Sequence, residues 1–138
     1  MDERTEANDT RTDANDKPAE NPLRVLVTDD HQLVLEGLKE LIESTGEAEV
    51  VGEAHSGEEA VELVRHLDPD VVCMDVSLPG ISGVEATRRI KKQNPGVRVI
   101  GLSVHQDADI AASMKKAGAS AYLMKDAGKR DLLSALLG

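Results

Sequence analysis

From Leu23 onward the chain alternates between short aliphatic runs and longer stretches in which apolar residues recur every three or four positions. Leu23 to Thr28 is aliphatic and β-branched and stops at Asp29-Asp30, as a strand covered on both faces does. Leu33, Val34, Gly37, Leu38, Leu41 and Ile42 recur at spacings of one, three and four and predict an amphipathic helix stopped by Gly46. Ala48 to Ala54 reads as a second strand. Glu58 to Leu67 reads as a second helix, with Ala60, Val61 and Val64 inward. The cycle repeats with a strand at 70–75, a tight loop around Pro79 and Gly80, and a helix at 84–93 ended by Asn94-Pro95-Gly96. A strand at 97–102, a helix at 107–117, a strand at 119–124 and a helix at 129–137 complete it. Five strands that are apolar runs without polar alternation, each followed by a helix, predict an α/β fold: a parallel sheet covered on both faces.

The first 20 residues break this pattern. They hold no Val, Ile, Leu, Phe or Tyr, and seven acids against three bases give them a net charge of −4. Such a segment has nothing to bury, so 1–20 is expected to be a disordered acidic extension and 21–138 the folded domain. The chain of 138 residues suits one domain of ordinary size. Its net charge is −10, of which −6 remains on 21–138, so the domain is not built to grip nucleic acid by itself. Cys73 is the only cysteine, which excludes an internal disulfide and a cysteine-based zinc cluster and suits a reducing cytosol. No apolar run approaches the roughly 20 residues that cross a bilayer, and the polar N-terminus is not a secretory signal. Tyr122 is the sole aromatic.

In an open α/β sheet, ligands bind beyond the carboxyl ends of the strands. At those ends stand Asp29 and Asp30 after the first strand, Asp75 at the end of the third, Ser103 after the fourth and Lys125 after the fifth. Singly, an Asp there can cap a helix, Ser103 can serve a turn and Lys125 can be a solvated lysine. Together they are hard to read as structural. Converging carboxylates repel in a partly desolvated cleft unless one is protonated or a cation neutralises them, and oxygen donors of this kind suit Mg²⁺. The histidines His31, His55, His66 and His105 lack zinc-type spacing and read as surface or site-flanking residues. Arg88, Arg89, Lys91 and Lys92 read as a solvated face.

The motifs Val27-Thr28-Asp29-Asp30-His31, Val72 to Gly80 with Gly83 and Glu85, Leu102-Ser103, Ala117-Gly118-Ala119 and Tyr122 to Asp126 resemble the receiver domain of bacterial two-component response regulators. The resemblance covers 23–137, and the wording Asp-Asp-His-Gln-Leu and Tyr-Leu-Met-Lys-Asp is most similar to the LuxR/FixJ (NarL) subfamily. It implies a flavodoxin-like sheet of strand order 2-1-3-4-5. It also implies Asp75 as phosphoacceptor from a sensor histidine kinase, and Mg²⁺ on Asp30, Asp75 and the Ser77 carbonyl, with Asp29 acting through a water. Lys125 would pair with the phosphoryl oxygens, and Ser103 and Tyr122 would form the switch. By the same resemblance the readout is the surface of helix 4, strand 5 and helix 5, which in relatives supports a phosphorylation-dependent homodimer and communicates with a helix-turn-helix domain. DNA would then be met only through a C-terminal domain this chain lacks, in a cytoplasmic protein that touches no membrane and is a signalling domain rather than an enzyme on outside substrates. The abrupt stop after the last helix looks like a cut before a linker.

This chain departs from the family's commonest pattern at Ser103, where Thr is frequent, at Val104, where a smaller residue often sits, and at Asp126, where many members have Pro. Ser77 and His105 flank the site and are expected to tune dephosphorylation. Rival readings are a stand-alone receiver shuttling phosphate or acting through protein contacts, a folded receiver that is never phosphorylated, and an aspartyl phosphohydrolase. The last needs Asp-x-Asp, whereas Asp75 is followed by Val76 and Ser77, and no Gly-x-Gly-x-x-Gly or P-loop follows the first strand.

Overall fold

The computed structural model describes residues 21–138, and the acidic leader expected at 1–20 lies outside the described residues. Five parallel strands lie in the order β2-β1-β3-β4-β5. They are β1 (Leu23–Thr28), β2 (Ala48–Ala54), β3 (Val71–Asp75), β4 (Arg98–Ser103) and β5 (Ala121–Met124). The helices are α1 (Gln32–Glu43), α2 (Gly57–Leu67), α3 (Gly83–Gln93), α4 (Ala108–Ala117) and α5 (Lys129–Leu137).

Alternation along the central strands builds two cores. Leu26, Val72, Met74 and Val99 face α2, α3 and α4, meeting Ala60, Val64, Ala86, Ile90 and Met114. Val25, Val27, Val71, Cys73, Ile100 and Leu102 face α1 and α5, meeting Leu35, Ile42, Leu132 and Leu136. Both faces are covered, so the central strands can be aliphatic throughout. Burial pushes the Cys73 thiol up to about 12, which leaves it a packing residue rather than a nucleophile.

Several boundaries differ from the sequence expectation, each for a local reason. α2, α3 and α4 are capped by Ser56, Ser82 and Asp107, whose side chains accept from Glu59, Glu85 and Ile110 N–H respectively. α1 ends at Glu43, and the chain turns through Ser44 and Thr45, whose hydroxyls donate back to the Leu41 and Ile42 carbonyls, to Gly46 at φ +75, the expected stop. β5 begins at Ala121, not Ala119, because Ala119 N–H closes the end of α4 on the Met114 carbonyl. Ser103 is the last residue of β4 rather than the first after it.

Burial qualifies the apolar stripe of α1 and corrects the expectation for β2. Leu33 is 82% exposed, while the helix turns inward on Leu35 and Ile42, which are seven residues apart. The edge strand β2 is not a continuous apolar run: Glu49 is exposed and its middle residues are only half-buried. Such charges discourage pairing with another sheet. β5, the other edge, is half-buried throughout.

Two glycines position the loop after β3. Gly80 has φ +76, and a Cβ there would lie 2.6 Å from the Glu58 carboxylate, which accepts from Ile81 N–H at 3.2 Å. Gly83 admits the start of α3 against the backbone of Asp75: a Cβ would stand 2.3 Å from the Asp75 carbonyl oxygen and 2.7 Å from Val76 Cα. Both obstacles are backbone and cannot rotate away. Gly83→Ala is therefore expected to destabilise the domain by about 2–3 kcal/mol, read from the urea midpoint at unchanged slope. A wild-type midpoint would show that the loop yields freely.

Candidate functional site

The carboxyl ends of β1, β3 and β5 converge, because β1 is hydrogen-bonded to β3, β3 to β4 and β4 to β5 in register. Asp29 follows β1, with its N–H tied to the Ala54 carbonyl of β2. Its side chain is 1% exposed, and Oδ1 accepts from His31 N–H at 2.9 Å. Asp75 closes β3 with a side chain 2% exposed, and its Oδ1 accepts from Ser77 N–H at 3.0 Å. Lys125 follows β5, where its N–H donates to the Ser103 carbonyl at 2.7 Å, and its side chain reaches back over the sheet end. Its Nζ lies 2.6 Å from Asp29 Oδ2 and 3.2 Å from Asp75 Oδ2. Residues 29, 75 and 125 thus meet at one point.

The electrostatics follow from this crowding. Burial is the strongest influence on Asp29 and pushes its carboxyl up. The bonds from Lys125 and His31 together outweigh it and hold the group below the usual carboxylate range. Asp75 goes the other way: burial first, aided by the Asp29 charge, raises it despite Ser77 and Lys125. Lys125 resists its own burial, which favours the neutral amine, and the two carboxylates hold it above the ordinary lysine value. One ammonium serves two carboxylates here, so negative charge is in excess.

The donor set fits a hard cation. Asp29 Oδ2 and Asp75 Oδ2 are buried and share the Lys125 ammonium, so the pair keeps a net negative charge that a cation would neutralise. Asp30 stands at the rim, a third exposed, and completes an oxygen-rich, solvent-accessible mouth of the kind Mg²⁺ prefers.

Ser103 and Tyr122 lie beside this centre but are engaged elsewhere. The Ser103 hydroxyl donates to the His105 carbonyl at 3.0 Å and accepts from His105 N–H at 3.1 Å. The Tyr122 hydroxyl donates to the same carbonyl at 3.4 Å. Tyr122 is half-buried, its ring against Gly101, and it lines a cavity of about 200 Å³ with Ala111, Lys115 and Ser120. Val104 is exposed beside the site, in a groove with Val34, Met124, Lys125 and Asp126.

The sequence reading missed two residues. Glu58, in the first turn of α2, clasps the loop that carries Ser77. Nothing in its local sequence marks this, since the contact joins residues 23 positions apart. His31 was read as flanking, but its ring nitrogen Nδ1 sits 3.2 Å from Asp29 Oδ1 and 3.1 Å from Asp30 Oδ1. Its adjacency to two acids was the available signal. The other histidines are exposed, and of the basic stretch on α3, Arg88, Arg89 and Lys92 are exposed, Arg88 and Arg89 pairing with Glu85, while Lys91 is half-buried and donates to the Pro95 and Val97 carbonyls.

A doubly wound sheet thus carries two buried acids and a lysine at its carboxyl edge, an oxygen-rich pocket with one fixed positive charge. Residues 25–137 match the family described as response regulator receiver domain, and the chain belongs to that family. It is 41% identical over 122 residues to the transcriptional regulatory protein DegU of Brevibacillus brevis, covering 88% of this chain and 52% of that protein. It is 43% identical over 114 residues to the response regulator UvrY of Escherichia coli K12, covering 83% of this chain and 52% of that one. Among solved structures it is similar to a LuxR-family two-component response regulator from Aurantimonas (TM-score 0.80, 38% identity, 85% of this chain and 84% of that one). It is equally similar to the signal receiver domain of a NarL regulator from Mycobacterium tuberculosis (TM-score 0.80, 33% identity, 84% and 94%). The chain spans about half the length of the curated relatives it matches.

The chain is therefore a receiver domain of two-component response regulators, related to LuxR/NarL-type regulators. The receiver is a signalling phosphoacceptor domain, and the family binds Mg²⁺ at an acidic pocket. Among the described residues, no helix is long and apolar enough to cross a membrane.

Proposed function

We propose that Asp75 is the phosphoacceptor of this receiver, with a sensor histidine kinase as donor. The observation that carries the reading is the Lys125 ammonium, 2.6 and 3.2 Å from two buried carboxylates on different strands. A merely structural lysine would neutralise one partner, whereas this one stands between two buried carboxylates and leaves negative charge in excess. In the transfer an Asp75 carboxylate oxygen attacks phosphorus, the donor's nitrogen–phosphorus bond breaks, and the imidazole leaves with a proton. Lys125 stays in place and pairs with the phosphoryl oxygens as their charge moves onto Asp75. Reversal of the mark is hydrolysis: water attacks phosphorus, the acyl oxygen leaves as the Asp75 carboxylate, and inorganic phosphate departs.

Mg²⁺ would be held by Asp30, Asp75 and the Ser77 carbonyl, with Asp29 acting through a water. When bound, it supplies positive charge that neutralises both the carboxylates and the incoming phosphoryl group. At a Mg²⁺ concentration ten times the dissociation constant, stability should rise by about 1.4 kcal/mol, roughly 4 °C in Tm. Asp30→Asn should lose most of that shift. A full shift in the variant would move the cation elsewhere.

The switch reading has a specific support in the shared acceptor. Ser103 and Tyr122 both donate to the His105 carbonyl, so a Ser103 hydroxyl turned toward a phosphoryl oxygen frees the loop and alters the support of Tyr122. The changed surface of α4, β5 and α5 would then support a homodimer and, in a longer protein, a DNA-binding helix-turn-helix domain. A cytoplasmic location and a division into an acidic leader at 1–20 and a receiver at 21–138 belong to the same reading. The experiment is incubation with acetyl phosphate, with and without Mg²⁺, followed by intact mass. One added phosphoryl group that depends on Mg²⁺ supports the proposal, and none under either condition favours a folded receiver that is never phosphorylated.

A further inference from the structure

The start of α2 grips the loop between β3 and α3. Glu58, the second residue of that helix, is exposed to solvent, yet its carboxylate accepts from Ile81 N–H at 3.2 Å. A Cβ at Gly80 would lie 2.6 Å from both carboxylate oxygens and 2.9 Å from the carboxyl carbon, so the fork of the carboxylate points at Gly80. Gly57 beside it brings the helix backbone onto Ile81, where a Cβ would stand 2.7 Å from Ile81 Cγ1 and 3.0 Å from the Ile81 carbonyl oxygen. Among the described residues, the Glu58–Ile81 bond is the one hydrogen bond that ties 77–82 to an element other than β3 and α3.

Three residues separate that anchor from Ser77. Leu78 precedes a proline and is confined to extended backbone, Pro79 has its φ locked, and Gly80, at φ +76, is the pivot where the chain reverses. Ser77 is held from the other side, its N–H on Asp75 Oδ1 at 3.0 Å. The Ser77 carbonyl is therefore aimed from two ends, by the pocket's own acid and by a stiff arm whose far end Glu58 holds. We propose that Glu58 is a positioning residue for the acceptor pocket: it aims the Ser77 carbonyl and so sets how tightly the pocket takes Mg²⁺. The inference rests on the reading above that this carbonyl serves the cation. Without the clasp, the cost of ordering the loop is met at the moment the cation binds, and affinity falls. Phosphorylation then suffers through metal occupancy and not through the transfer step itself.

The test compares the full chain with Glu58→Ala and Glu58→Gln by Mg²⁺ calorimetry, amide hydrogen exchange and ¹³C NMR of the backbone carbonyls. In Glu58→Ala the Ile81 amide should exchange faster and Mg²⁺ should bind about tenfold more weakly, the low end of what a partner behind a metal ligand contributes. Glu58→Gln removes the charge but keeps an oxygen that can accept from Ile81 N–H, so at physiological salt it should bind Mg²⁺ within about twofold of wild type. The initial rate with acetyl phosphate should fall in Glu58→Ala at low Mg²⁺ and return to the wild-type value at saturating Mg²⁺. Equal losses in both variants would make the effect one of charge, and a rate that stays low at saturating Mg²⁺ would place Glu58 in the transfer itself; either overturns the proposal. Wild-type affinity in Glu58→Ala, with the Ser77 carbonyl resonance moved by Mg²⁺ in both proteins, would overturn it and leave the magnesium reading standing. A Ser77 carbonyl resonance that bound Mg²⁺ leaves unmoved in the wild type would sink that reading, and this inference with it.

Discussion

Replacing Asp75 by Asn is expected to remove phosphoryl incorporation entirely and, in metal-free buffer, to make the domain more stable by about 1–2 kcal/mol. The two effects share one cause. Asp75 is a buried carboxylate facing a second one, Asp29, with a single ammonium between them. Burial and the Asp29 charge raise its pKa, so its ionised form costs stability at neutral pH. Asn keeps the shape and an oxygen that accepts from Ser77 N–H but carries no charge. The sign with pH follows. Below the raised Asp75 value the wild-type carboxyl binds a proton and sheds its penalty, so the advantage of Asn shrinks as pH falls and is full above that value. Asp29 acts oppositely. Held low by Lys125 and His31 against its own burial, it contributes stability above the ordinary carboxylate range that is lost as pH falls through its depressed value. Urea denaturation of both proteins from neutral to mildly acidic pH checks this, and a variant less stable than wild type at neutral pH would contradict it.

The second large effect belongs to Lys125. Lys125→Ala should slow phosphorylation by acetyl phosphate about a hundredfold, the usual cost of deleting one donor aimed at developing charge. It should also destabilise the metal-free protein by about 2 kcal/mol, because two carboxylates lose their shared partner. With its side chain 15% exposed, solvent screens part of the loss. Mg²⁺ should bind at least as tightly as in wild type, since a competing positive charge is gone, and should return part of the stability. Stopped-flow phosphorylation and a Mg²⁺ titration separate these effects. A variant that reacts at the wild-type rate would make Lys125 a structural counter-ion only.

The fold was legible because both faces of the sheet are covered, which makes the middles of β1, β3 and β4 apolar and gathers polar residues toward their ends. The acids and lysine at those ends could be placed on one rim by topology alone. What stayed hidden depends on side-chain direction. Leu33 fits a helical stripe by type but points to solvent, since the inward face is set by Leu35 and Ile42. Glu58 acts across 23 residues on a loop whose glycine leaves room for it, a contact no local pattern announces. His31 was visible as a residue but not as a partner of both acids, because only coordinates show its Nδ1 beside them. The engagement of Ser103 with its own loop is likewise a matter of hydroxyl direction, fixed by the turn at His105.

The most direct test of the central claim locates the phosphoryl group itself. The full chain is treated with acetyl phosphate and Mg²⁺, reduced with borohydride, which converts an aspartyl phosphate to homoserine, and mapped by peptide mass. The account predicts homoserine at position 75 alone. Homoserine at 29 or 30 with an intact Asp75, or phosphate on a histidine or serine instead, would contradict it.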